Sequence, residues 1–143
     1  MKLLTYTTLY PNAVNPQHGI FVENRLRRIV ATGDADAHVV APVPWFPFKS
    51  DIFGAYGAFA RIGASEERFG IAVDHPRYPS IPKIGMGVAP KLLARATVGR
   101  VRRHAAETGA QVIDAHYFYP DGVAAAAIGK ALDMPVVITA RGS

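Results

Sequence analysis

The sequence predicts an α/β protein: an open, mostly parallel Rossmann-like sheet with helices on both faces. Three observations predict it. Short apolar runs alternate with longer segments of near-helical period, in the order βαβ(loop)β(loop)αβαβ. The runs are continuously apolar rather than alternating, as expected of strands buried on both faces. Half of the 143 residues are apolar and 19% are charged, a composition that fills one core and about one domain spanning the whole chain.

The first strand is expected over Lys2–Thr8. Ile20, Phe21, Leu26, Ile29 and Val30 then recur at helical spacing, with Glu23, Arg25, Arg27 and Arg28 between them, and Gly33 ends that helix. Ala37–Ala41 is a second strand stopped by Pro42. Pro42–Gly63, which holds the single tryptophan, Trp45, is irregular. Arg68–His75 is a third strand and Pro76–Pro90 a second irregular stretch. Lys91–Thr108 is a long helix closed by Gly109, Val112–Ala115 a fourth strand, Asp121–Leu132 a helix and Val136–Ala140 a fifth strand. Arg141-Gly142-Ser143 follows directly, where the next loop should start. Ser143 would cap a further helix, so the chain is expected to be a piece of a longer protein.

Several chemistries are excluded. There are no cysteines, hence no disulfides, thiolate metal sites or cysteine nucleophiles. The loop after the first strand holds one glycine, Gly19, where a dinucleotide fingerprint needs three. There is no phosphate loop of the Gly-Lys-Ser/Thr kind and no Gly-x-Ser-x-Gly elbow. The five histidines (18, 38, 75, 104 and 116) show no metal-ligand spacing among themselves, and no metal is expected. The N-terminus turns polar too soon for a secretory signal core, and no apolar run approaches the roughly 20 residues that span a bilayer. The net charge of +5 favours anionic partners. Nucleic acid is not expected, since no helix-turn-helix or aromatic-basic platform accompanies the charge.

In an open parallel sheet, ligands bind outside the carboxyl ends of the strands, and two loops there carry the chemistry. The first runs Tyr10-Pro11-Asn12-Ala13-Val14-Asn15-Pro16-Gln17-His18-Gly19. Gly19 at a helix start would let a phosphate or sugar approach the free amides; alternatively it only permits a turn. The second runs Asp114-Ala115-His116-Tyr117-Phe118-Tyr119-Pro120-Asp121-Gly122. His116, flanked by Tyr117, is the leading candidate to bind a hydroxyl or accept a proton, against the alternative of a satisfied core histidine. Asp114 shares its strand face and is expected to orient it. Asp121 is expected to cap the next helix. Arg141 is placed to clamp a carboxylate or phosphate, against the alternative of a solvated arginine in a loop. Lys91, Arg95 and Arg102 form a stripe on the long helix, with Arg100, Arg103 and His104 on the same element; such a helix can lie on an anionic membrane, or be an ordinary solvated face.

Leu9-Tyr10-Pro11-Asn12 with His18-Gly19-Ile20-Phe21-Val22-Glu23, then Val112 to Gly122, then Pro135 to Ser143, together resemble the N-terminal domain of the family 4 glycosyltransferases, which have the GT-B fold. The resemblance covers nearly the whole chain. It implies an acceptor-side domain, with a C-terminal donor-binding domain missing, of an enzyme that transfers sugar with retention from a nucleotide sugar to a glycan or lipid-linked acceptor, without a metal or other cofactor. By position it implies that Gly19 lies near the donor diphosphate, with His18 beside it. It also implies that His116 contacts the transferred sugar, and that Arg141 to Ser143 face the acceptor. The double glycine that many members carry in the first loop is absent. The fragment alone is expected to be inactive. The implied setting is surface polysaccharide or glycolipid synthesis in the bacterial cytoplasm, peripheral on the inner membrane face. Two other functions fit the same residues: a sugar-nucleotide epimerase of this architecture, and a non-enzymatic ligand- or membrane-binding module.

Overall fold

A computed structural model describes residues 2–14, 16–33, 35–45, 60–79 and 88–139. Six strands form one sheet: β1 (Lys2–Tyr6), β2 (Asp36–Val40), β4 (Ser65–Arg68), β5 (Ile71–Asp74), β7 (Val112–His116) and β8 (Val136–Thr139). Their spatial order is β4-β5-β2-β1-β7-β8. All of these pairings are parallel except β4 with β5. The expected α/β class, mostly parallel with helices on both faces, is the observed one.

Two apolar clusters sandwich the sheet. On one face, Val22 and Leu26 of α1 (Ile20–Ala31) pack on Val39, Ile71 and Val73. On the other, Leu93, Ala94 and Val101 of α2 (Val88–Thr108), with Ala124, Ala125 and Ile128 of α3 (Val123–Leu132), pack on Leu4, Tyr6, Val40, Ile113 and Ala115. Alternation along each strand decides the face. Leu4 and Tyr6 turn towards α2 and α3, so Thr5 turns towards α1. Register pairs Thr5 with Asp114, which places Asp114 and His116 on the α1 face as well. α3 lies close on β8. A Cβ on Gly122 would come within 2.9 Å of the Ile138 side chain, and one on Gly129 within 2.8 Å of the Met134 carbonyl and closer still to Val136.

Several boundaries differ from expectation. The third strand is a hairpin: β4 and β5 are joined by Phe69-Gly70, both at positive φ (52° and 79°), the turn whose twist suits a two-residue hairpin. Arg68 therefore ends an antiparallel edge strand of polar sequence instead of starting a buried one. β1 stops at Tyr6, because Thr7 and Thr8 are drawn into side-chain bonding. α2 begins at Val88 and takes in Pro90, whose missing N–H is harmless in a first turn. The short strands β3 (Val43–Pro44) and β6 (Arg77–Tyr78) pair in parallel and extend the β2/β5 line past the sheet edge. A wide turn, Phe118–Gly122, precedes α3.

Candidate functional site

The carboxyl ends of β1 and β2, with the β3/β6 ribbon as a side wall, enclose a cavity of about 190 Å3. Thr8, Asn12 and His18 line it from the first loop, Ala41 to Pro44 from the β2–β3 connection, and His75 and Tyr78 from the strand opposite. The first loop is held from within. The Nε2 of His18 lies 2.9 Å from the Thr8 carbonyl, and Asn12 accepts from the Val14 amide at 3.0 Å. Gly19 precedes α1 at φ 64°. A Cβ there would come within 2.9 Å of the Tyr10 nitrogen and closer still to the Leu9 carbonyl. The missing side chain thus lets the start of α1 seat against the backbone of its own loop.

Asp121 is the group that sequence reasoning misplaced. It does not cap α3, whose N-cap, Gly122, makes no side-chain hydrogen bond. Fully buried, its carboxylate accepts from the Thr8 amide at 2.7 Å, from the Thr8 hydroxyl at 2.9 and 3.0 Å, and from the Thr7 hydroxyl at 3.2 Å. Burial pushes its pKa up to about 6, against the pull of those donors and of His18. The signal that could have found it is the run of hydroxyls at Thr7 and Thr8 ending a buried strand, but the pairing spans more than 110 residues.

His116 stands apart from this cavity. Its Nε2 lies 3.0 Å from Asp114, itself 3.4 Å from the Thr5 hydroxyl, and 3.1 Å from an Arg25 nitrogen of α1. A carboxylate only accepts and a guanidinium only donates, so a proton on Nε2 selects Asp114. Nδ1 is buried without a partner among the described residues, and the whole residue is 1% exposed. Asp114 therefore does orient His116, and Arg25, which the sequence placed only as one of several helix cations, covers it. Tyr117 is held at φ 80° by two backbone bonds, its N–H to Thr139 and its carbonyl from Gly122, a conformation that costs a side-chain-bearing residue on the order of 1–2 kcal/mol. Arg141 and Ser143 lie outside the described residues, as does most of the aromatic loop after Trp45.

His75 bridges the Ala41 carbonyl (3.0 Å) and Glu66 (2.7 Å). Both partners accept, so both bonds form together only on the doubly protonated ring. Of the long-helix cations, Arg100 and His104 turn inward onto Asp74, at 2.6 and 2.9 Å. Lys91, Arg95, Arg102 and Arg103 are exposed. Among the described residues no group of three or more His, Asp or Glu side chains is placed to hold a metal ion, and no helix is long and apolar enough to cross a membrane.

No family model matches the chain. It aligns along its full length, at 27% identity over 154 aligned positions, with TuaC of Bacillus subtilis (strain 168), whose name assigns it provisionally as a teichuronic acid biosynthesis glycosyltransferase. The chain spans 36% of that relative's length. A crystal structure of Glycyrrhiza uralensis UGT73P12, complexed with glycyrrhetinic acid 3-O-monoglucuronide, superposes with a TM-score of 0.47 at 16% identity, over all of this chain and 28% of that one. At that score the likeness carries no argument.

Proposed function

We propose that this chain is the acceptor-side α/β domain of a retaining, family 4 glycosyltransferase of the GT-B fold. The enzyme transfers a hexosyl unit from a nucleotide sugar to a glycan or lipid-linked acceptor in bacterial surface polysaccharide or glycolipid synthesis. The observation that carries this is the end-to-end alignment with TuaC. The crowding of polar side chains at the carboxyl ends of β1 and β7 supports it, since that is where an open α/β sheet binds ligands. A donor-binding domain beyond this segment completes the cleft.

In this reading His116 orients and polarises sugar hydroxyls through Nδ1, its unpartnered nitrogen, while Asp114 holds the Nε2 proton. Because His116 is buried, the role requires the Arg25 cover to shift when ligand binds. His18 and Gly19 sit at the start of α1, which has no side-chain cap of its own, and there the helix amides stabilise the departing diphosphate. Tyr117, Arg141 and Ser143 contact the acceptor. The exposed cations Lys91, Arg95, Arg102 and Arg103 lie against the anionic inner face of the cytoplasmic membrane. No resident metal takes part.

The test uses the polypeptide encoded by the whole reading frame that carries this segment. It is incubated with a panel of nucleotide sugars, with and without glycan and lipid-linked acceptors, and the products are weighed. Transfer to an acceptor, reduced at least ~100-fold in His116→Ala, is expected. An epimerised nucleotide sugar formed without acceptor would replace transfer by epimerisation. Binding to anionic vesicles with no turnover would leave a binding module.

A further inference from the structure

Asp121 is a buried carboxylate that no cation neutralises at bonding distance among the described residues. Among the described residues its hydrogen-bond donors all belong to Thr7 and Thr8, where the chain leaves β1 for the first loop. From there the constraint passes onward by three contacts. The Thr7 hydroxyl accepts from the Leu9 amide at 2.9 Å. The Thr8 carbonyl meets His18 at 2.9 Å. Leu9 and Tyr10 form the backbone surface against which Gly19 seats. We infer that Asp121 is the positioning residue of the first loop: its ionised carboxylate sets Thr7 and Thr8 and, through the Thr8 carbonyl, holds the His18 ring at the wall of the cavity.

The charge state matters because the bonds are not symmetric under protonation. An ionised carboxylate accepts on both oxygens, and the Thr8 hydroxyl and amide use both. A protonated one carries a donor where one of those donors points. The titratable groups that face Asp121 are His18 of the first loop, Tyr6 of β1 and Tyr78 of β6. α2 reaches this end of the sheet through Thr97, bonded to the Tyr6 hydroxyl at 2.8 Å and not titratable. Burial raises the carboxyl to about 6, so at neutral pH the fold keeps ionised a group whose burial disfavours the charge, and that is a mark of a functional site. Loss of the charge frees the loop, because Thr7 and Thr8 lose the acceptor that holds them. That this loop binds sugar or diphosphate rests on the proposed function; that Asp121 holds it does not.

The experiment is a pH titration of the 143-residue chain by NMR, from pH 5 to 8. It follows the Thr8 amide and the cross-relaxation between the His18 ring and the Thr8 α-proton. In the native chain the Thr8 amide is expected to shift with an inflection near pH 6, and the His18–Thr8 contact to be strong above it and lost below. Asp121→Asn should abolish the inflection and weaken the contact at pH 7.5, and Asp121→Glu should restore part of it. Should the asparagine variant fail to fold, Thr8→Val, which removes only the hydroxyl donor, must move the inflection to higher pH. A Thr8 inflection that persists in Asp121→Asn or stays put in Thr8→Val overturns the inference, and so does a His18 contact indifferent to both pH and substitution. Sugar-transfer activity plays no part in these outcomes, so they stand or fall apart from the enzymatic reading.

Discussion

Asp74 ends β5 and Asp121 lies in the turn after β7; both are buried, and the protein treats them in opposite ways. At Asp74 burial works against ionisation, but Arg100 and His104 outweigh it and hold the carboxyl below its ordinary value of 3.8. Asp121 has only neutral donors within bonding reach among the described residues, and burial wins, lifting it to about 6. The first is a tie between β5 and α2. The second is a charge kept at a disadvantage beside a cavity. The difference lies in the partner's charge, since hydroxyls and an amide replace only part of the lost hydration, whereas a guanidinium also supplies attraction.

The largest expected effect comes from breaking the paired site. Asp74→Ala leaves Arg100 and His104 facing each other without their carboxylate, and should cost about 3 kcal/mol in urea unfolding at pH 7. A loss under about 1 kcal/mol would mean that the tie is ornamental. Next comes the pH dependence. Asp121 has a folded value above its unfolded one, so its contribution is fully present below pH 4 and fades as pH rises to about 6. Its burial should therefore lower stability by roughly 2–3 kcal/mol at pH 7 relative to pH 4. The gap between the native chain and Asp121→Asn across those two pH values isolates the effect from other groups. Asp74 runs the other way: its contribution is present at neutral pH and disappears as pH falls below the ordinary aspartate value. The smallest effect, about 1 kcal/mol, is expected of Arg100→Met, since Arg100 is one-third exposed and His104 remains. Its sharper sign is a shift of the acid limb of the stability curve to higher pH; an unmoved limb would show that His104 alone holds Asp74.

How much of this was legible in the sequence follows from the range of each interaction. β1, α1, β2, α2, β7, α3 and β8 announce themselves through apolar runs and helical period, which are local. The β4–β5 hairpin does not, because its turn uses Phe69 at positive φ beside Gly70, and phenylalanine gives no turn signal. β3 and β6, at two residues each, are too short for any period. His18 was expected at the carboxyl end of the sheet from its place after a strand, and it lines the cavity there. Asp114 beside His116 followed from strand alternation. Asp121 was assigned to its nearest helix, while its partners lie more than 110 residues away. His38, His104 and Asp74 likewise meet only in space: the two rings are 4.2 Å apart, and burial followed by His104 lowers the pKa of His38.

Gly122 and Gly129 stand seven residues apart and present the same side of the α3 region to β8. At each, a side chain on the helix side would press into β8 or the Met134 carbonyl. Val137, which is 56% exposed, has wide freedom to drift under mutation. Positions 122 and 129 have almost none, since a single methyl at either would lever β8 away from β7 and carry Thr139, the anchor of the Tyr117 backbone, with it. The seat of β8 is thus inherited through two absences, one at the cap of α3 and one within it, and is least able to evolve where it has least substance.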